Sequence, residues 1–183
     1  MRLKEARIGY APYSPSLAVP GDRRRFCFYA NARRLAFDVM RDPSLRPDLA
    51  VVSSTADITK WAQADRSTTI VYDLVDSYLA LPRRSPKSLG RGVAKRLSGE
   101  TSRLAWDYRK AIARMCSRAD AIVCSTEEQR QMILGYCDNV HVILDHHGPE
   151  AKRRKENFDA HRPFRLVWEG LPYTLPAFRE LAP

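Results

Sequence analysis

The sequence predicts an α/β fold in which a parallel sheet is flanked by helices. Two observations carry this. Short apolar runs recur at residues 6–11, 49–52 and 69–72, and between them stand stretches with apolar residues at helical steps. Residues 119–144 then compress the pattern into a single unit. Ala121-Ile122-Val123-Cys124 is a run fit for a buried parallel strand, a helix follows, and Val140-His141-Val142-Ile143-Leu144 is a second run.

The elements follow in order. Ile8 and Tyr10 mark a first strand within residues 6–11. Pro12, Pro15, Pro20 and Gly21 then make a loop. Phe26, Ala30, Phe37 and Met40 predict a helix over 26–40, ended by Asp42-Pro43 and Arg46-Pro47. Residues 49–52 are a second strand, 56–64 a short helix carrying Trp61, and 69–72 a third strand ending at Asp73. Residues 83–96 combine Pro, Ser and Gly with many cations and read as an exposed or poorly ordered loop. Leu104, Tyr108, Ala111, Ile112 and Met115 predict a helix over 101–118, with Arg103, Arg109, Lys110, Arg114 and Arg118 on its other faces.

Within the unit at 119–144, Ser125-x-x-Glu128 has the spacing of a capping box. There the Ser hydroxyl and the Glu carboxylate satisfy two orphan amides. Met132, Ile133 and Tyr136 share a helical face, and Asp138-Asn139 breaks the helix. A charged stretch, 150–162, follows. Residues 164–170 then predict a new strand closing on Gly170, and 174–181 the start of a helix, as if a further domain were opening.

A chain of 183 residues holds one domain with a proper core and little more. Hydrophobic residues at 44% and charged residues at 28% fit a folded soluble protein. No apolar run approaches the roughly twenty residues of a membrane span. Behind the charges of Met1-Arg2-Leu3-Lys4-Glu5-Ala6-Arg7 there is no apolar signal core, so cytoplasmic residence is expected, with peripheral contact at the inner membrane face as an option. No C-x-x-C occurs among Cys27, Cys116, Cys124 and Cys137, which read as small buried hydrophobes. No metal site is expected, and His146-His147, being adjacent, point different ways on regular structure.

The net charge of +10 and pI near 9.8 call for an anionic partner, or for a solvated surface. Cations cluster in Arg23-Arg24-Arg25, in residues 83–118 and in Lys152-Arg153-Arg154-Lys155. Nucleic acid, an anionic membrane surface and a phosphorylated small molecule all fit the sign. No RRM, KH, zinc-finger or helix-turn-helix signature supports nucleic acid. No G-x-G-x-x-G follows the first strand, so a dinucleotide site has no fingerprint. The cations at 83–96 and on the 101–118 helix make a candidate surface for anionic lipid or glycan.

Five segments in order resemble the N-terminal half of a GT-B glycosyltransferase of the group-1, family-4-like type. They are Arg7-Ile8-Gly9-Tyr10 with Gly21 and an Arg-rich helix start; Ile70-Val71-Tyr72-Asp73-Leu74-Val75-Asp76; Arg118-Ala119-Asp120-Ala121-Ile122-Val123-Cys124-Ser125; Val140-His141-Val142-Ile143-Leu144 with Gly148; and Arg165-Leu166-Val167-Trp168-Glu169-Gly170. The match covers nearly the whole chain. Gly21 stands alone where the family often has a Gly pair, and His147 precedes Gly148 where Asn is usual.

The resemblance implies a Rossmann-like acceptor-side domain over 1–148, a charged linker over 149–163, and a truncated donor-binding domain over 164–183. It implies transfer of a hexosyl-type sugar from a nucleotide sugar to a glycan, lipid or small-molecule acceptor, with no cofactor or metal. Most of the donor site would lie in a C-terminal half, without which turnover is not expected. A non-catalytic basic α/β module that binds nucleic acid or another anionic ligand is the alternative.

The implied roles fall on residues whose chemistry suits them. Glycosyl transfer needs charge stabilisation on the leaving diphosphate and a group to orient or deprotonate the acceptor hydroxyl. Gly21 would let backbone amides approach phosphate, or serve as a plain turn. Arg24 or Arg25 would add a forked cation to the donor phosphates, or sit as a solvated helix entry. Asp76 is the preferred catalytic orienter or base. Asp73 is an acceptor contact or a cap of the following turn. Ser125 caps its helix and contacts acceptor. Gly148 would be the hinge.

Overall fold

The structure, a computed structural model, describes residues 5–80, 86–99, 101–103, 105–146, 156, 157 and 159. The chain divides into two compact units, Met1–His147 and Gly148–Pro183. Gly148, the expected strand at 164–170 and the expected helix at 174–181 lie outside the described residues, as does the expected linker apart from residues 156, 157 and 159.

Among its described residues the first unit is built on six parallel strands. These are β1 (Ile8–Ala11), β2 (Asp38–Val39), β3 (Leu49–Ser53), β4 (Thr69–Asp73), β5 (Ala121–Cys124) and β6 (Val140–Val142), in the order β2-β1-β3-β4-β5-β6. Six helices connect or cover them: α1 (Pro20–Arg23), α2 (Phe26–Arg33), α3 (Ile58–Trp61), α4 (Pro86–Leu97), α5 (Tyr108–Arg118) and α6 (Glu127–Ile133). The α/β class read from alternating runs is the class observed.

The period-two geometry of strands sorts side chains onto two faces. Register pairs Val52 with Tyr72 and Tyr72 with Ile122, so these residues share one face with Ala50, Ile70 and Cys124. Ile58 and Trp61 of α3, Ile112 and Met115 of α5 and Ile133 of α6 close over that face, all of them fully buried. Each such side chain contributes about 1.5–3 kcal/mol by leaving water. The other face carries Ile8, Leu49, Val51, Val71 and Val123 against α2. There the Tyr10 and Phe26 rings meet with centroids 4.6 Å apart, and a cavity of about 550 Å³ remains.

Five expectations are corrected. The helix expected over 26–40 stops at Arg33, because Arg34 turns left-handed at φ 52°. Phe37 then packs edge-on to Tyr10 and Phe26, and Asp38–Val39 joins the sheet beside β1. Ring packing of Phe37 and the free edge of β1 outweigh the helical spacing. The helix expected over 101–118 begins only at Tyr108, where Asp107 caps it by accepting from the Lys110 amide at 3.1 Å.

Residues 86–96 of the segment read as a loop over 83–96 lie in α4. Its loop signals have helical uses: Pro86 opens the helix, and a Cβ at Gly92 would run into the carbonyl of Ala105, so Gly92 lets α4 press against the connector to α5. Finally, β6 ends at Val142, leaving Ile143 and Leu144 exposed.

Arg118 does not face solvent as its position among the helix cations suggested. It is 5% exposed and donates to the carbonyls of Ala64, Asp65 and Thr68 and to the Asp120 carboxylate. Asp120 also accepts from the Ile70 amide at 2.8 Å. The Arg118-Ala119-Asp120 triplet therefore clamps the entry edge of the sheet, away from the carboxyl ends of the strands.

Candidate functional site

The chain leaves β1 for β2 on one side and returns to β3 on the other, so the topological switch point lies between β1 and β3. Open parallel sheets bind ligands outside the carboxyl ends of such strands. Tyr13 and Ser14 follow β1 here, and Ser53, Ser54 and Thr55 end and follow β3. The Thr55 hydroxyl reaches the Tyr13 carbonyl at 3.4 Å.

Asp22 shapes the loop after β1. Fully buried, it accepts from the Tyr10 hydroxyl at 2.7 Å, the Tyr13 amide at 2.9 Å and the Ser14 amide at 3.0 Å. Three donors to one carboxylate compensate a charge that would otherwise be costly to bury. Burial, then the Asp22 hydrogen bond, pushes the Tyr10 phenol far above its ordinary value, so Tyr10 stays a donor.

Gly21 lies in α1 rather than in a loop. A Cβ there would come within 2.9 Å of the Tyr13 ring, so the glycine makes room for that ring. The Tyr13 hydroxyl in turn reaches Asp73 Oδ2 at 3.4 Å. Burial, with the Asp73 charge next, raises the Tyr13 phenol.

Asp73 and Arg25, both candidates from sequence, meet directly. Arg25 Nη2 lies 2.6 Å from Asp73 Oδ1, its Nε lies 2.8 Å from both Asp73 oxygens, and its Nη1 lies 2.6 Å from Asp145 Oδ1. Both side chains of the Arg25–Asp73 pair are about 5% exposed or less. Burial alone would weaken Arg25's hold on its proton; hydrogen bonds and charge from Asp73, then Asp145, reverse this and keep it cationic. Burial raises the Asp73 carboxyl above the ordinary carboxylate range, with Arg25 opposing. The Arg25 fork is thus engaged by protein carboxylates. Arg24, half-buried beside it, accepts the His146 amide on its carbonyl at 3.0 Å and lines the 550 Å³ cavity.

Asp76 and Ser125 are joined through Gln129. This buried side chain accepts from the Ser125 amide at 3.0 Å and donates to the carbonyls of Leu74 at 2.7 Å and Asp76 at 3.2 Å. The Asp76 carboxylate is exposed and accepts from Tyr78 Oη at 2.8 Å.

Ser125 is not the cap expected. The N-cap of α6 is Thr126, whose hydroxyl accepts from the Gln129 amide at 3.2 Å. Thr126-x-x-Gln129 has the same capping-box spacing one residue on. Gln129 wins because its amide also ties α6 to the turn after β4, which Glu128 at its exposed position does not do. The Ser125 Oγ is buried with no hydrogen-bond partner.

The rim thus holds two groups: Gly21, Tyr13, Asp73 and Arg25 in one run of contacts, and Asp76 with Ser125 on Gln129. Sequence reasoning placed Asp145 on the rim after β6 but missed Tyr13, Asp22 and Gln129. Only Gln129 left a signal, the second capping-box spacing. Among the described residues, no group of three or more His, Cys, Asp or Glu side chains is placed to hold a metal ion. The four cysteines are free thiols.

No family model matches the chain, and neither a curated protein nor a solved structure does.

Proposed function

We propose that this chain is the acceptor-side half of a GT-B glycosyltransferase, which binds the hydroxyl-bearing acceptor of a nucleotide-sugar-dependent transfer. The observation that carries this reading is an exposed carboxylate, Asp76, in the turn just past the carboxyl end of the central strand β4, with Ser125 fixed beside its backbone by Gln129. The ordered sequence segments support it. In this reading Asp76 orients or deprotonates the acceptor hydroxyl, and Ser125, whose Oγ is buried without a partner, turns outward to meet a second acceptor group. Asp73 holds Arg25 and Tyr13 at the rim, and the cation of Arg24 faces the donor phosphates. The donor is a substrate, and its binding half lies in a partner domain.

The test is sugar transfer. The 183-residue chain with nucleotide sugars and candidate acceptors is expected to give no sustained turnover. In a protein carrying both halves, Asp76→Asn is expected to lower kcat about a hundredfold or more, as loss of a general base does, with KM for the donor little changed. Transfer at an undiminished rate by Asp76→Asn would remove Asp76, and sustained turnover by the chain alone would contradict the half-enzyme reading.

A further inference from the structure

The surface formed by α4 and the connector to α5 combines exposed apolar side chains with a cation-rich sequence. Leu89, Val93 and Leu97 recur at four-residue steps, as do Lys87, Arg91 and Lys95. Val93 is 39% exposed and Leu97 82%. Arg96 is exposed too. The connector that follows is anchored: the Thr101 amide donates to the Lys95 carbonyl at 3.1 Å, the Ser102 amide to Asp57 Oδ2 at 2.7 Å, and Thr101 and Ala105 are buried. Between buried Ala105 and the cap residue Asp107 stands Trp106, 70% exposed.

Anchored backbone on both sides fixes where the indole is displayed. Gly92 brings α4 against Ala105, the residue before Trp106, so the exposed Val93 and Leu97 stand on the element packed beside the indole's own connector. An isolated exposed Leu is ordinary, but a large aromatic and two aliphatics beside a cation-rich helix are not.

We infer that this patch docks the protein on an anionic lipid bilayer, with α4 lying in the interface, Leu97, Val93 and Trp106 entering the headgroup boundary and the exposed Arg96 meeting lipid phosphate, while Lys95 stays over the Tyr108 ring at 5.2 Å. A basic amphipathic helix with a neighbouring Trp has the composition of an interfacial helix. Charge complementarity selects the bilayer's sign, and the apolar side chains select a bilayer over a polyanion such as RNA, which offers phosphate but no acyl layer. Among the described residues no helix is long and apolar enough to cross a membrane, so the contact is peripheral. This docking is independent of the transfer chemistry.

The experiment uses the full chain with vesicles of about 30 mol% phosphatidylglycerol in phosphatidylcholine, against phosphatidylcholine alone, near physiological salt. Cosedimentation is expected with the anionic vesicles only, with quenching of Trp emission by acyl-brominated lipid. The double variant Leu97→Glu/Trp106→Glu changes two exposed side chains and is expected to keep its thermal midpoint. Its partitioning should fall at least about tenfold. Three results overturn the inference: no binding to anionic vesicles; equal binding by the double variant, which would assign the attraction to net charge elsewhere; or binding of single-stranded RNA that the double variant loses while vesicles stay unbound.

Discussion

Arg25 Nη2 lies 2.6 Å from Asp73 Oδ1, a buried contact between residues 48 positions apart, and the same guanidinium reaches Asp145. It ties the start of α2 to the end of β4 and to the segment after β6. Removing the arginine leaves two carboxylates facing one another. Removing the Asp73 charge leaves Arg25 its second carboxylate.

Arg25→Met should therefore cost more than Asp73→Asn: about 3–5 kcal/mol for the first, the range for breaking a buried pair, and less for the second. The pH dependence has a definite sign. Because burial already raises the Asp73 carboxyl, its folded form binds a proton more tightly than its unfolded form, and stability from this group falls as pH rises through the folded value. Without Arg25 the rise is larger, so the Arg25→Met deficit should widen between about pH 4 and 7. Urea midpoints at the two pH values check both statements; a larger loss in Asp73→Asn would contradict them.

Asp57 caps α3 through the Thr59 amide at 3.1 Å and holds the Ser102 amide at 2.7 Å. Burial pushes its carboxyl up, but hydrogen bonds from Ser102 and Thr59 outweigh this and hold it below the ordinary value. Asp57→Ala should cost about 1–2 kcal/mol at neutral pH. A depressed carboxyl contributes stability above its unfolded value and loses it on acidification, so the difference from wild type should fade below about pH 4. Denaturant curves at pH 7 and 3 measure it.

Thr126 and Ser125 separate capping from site chemistry. Thr126→Ala should destabilise by about 1 kcal/mol, the usual loss of a cap. Ser125→Ala removes a buried hydroxyl that has no partner and should be close to neutral for stability. Thermal midpoints of the two variants test this. An equal loss in both would restore Ser125 as cap.

Two thiols should resist alkylation near neutral pH. Burial, then the Asp22 charge, pushes Cys27 up to about 11, and burial pushes Cys116 up to about 12. Only the thiolate reacts, so Cys27 labelling should rise about tenfold per pH unit from 8 to 10. Mass-spectrometric mapping of alkylated peptides gives the rates, and a plateau above pH 8 would contradict the assignment.

Five of the six strands were legible because a buried parallel strand is a short apolar run, and residues 8–11, 49–53, 69–73, 121–124 and 140–142 all have that form. Asp38–Val39 was hidden because its two residues hold an edge through Phe37 packing, a contact no local pattern encodes. The helix α4 was hidden because Pro86 and Gly92 are breakers by propensity and become useful only against Ala105. The rim was partly legible: the ends of β4 and β5 followed from the strands, so Asp73, Asp76 and Ser125 could be named. Asp22 could not, nor the pairing of Asp145 with Arg25, since these depend on partners in other loops.

The claim on which the account rests is that the rim near Asp76 and Ser125 receives the acceptor. Amide chemical-shift mapping of the isotope-labelled chain against a panel of glycan and lipid-linked acceptors tests it most directly. The account predicts saturable shifts concentrated at residues 13–14, 53–55, 74–78 and 125–129, lost in Asp76→Asn. Shifts confined to the Arg118–Asp120 edge, or an unchanged response in Asp76→Asn, would contradict it.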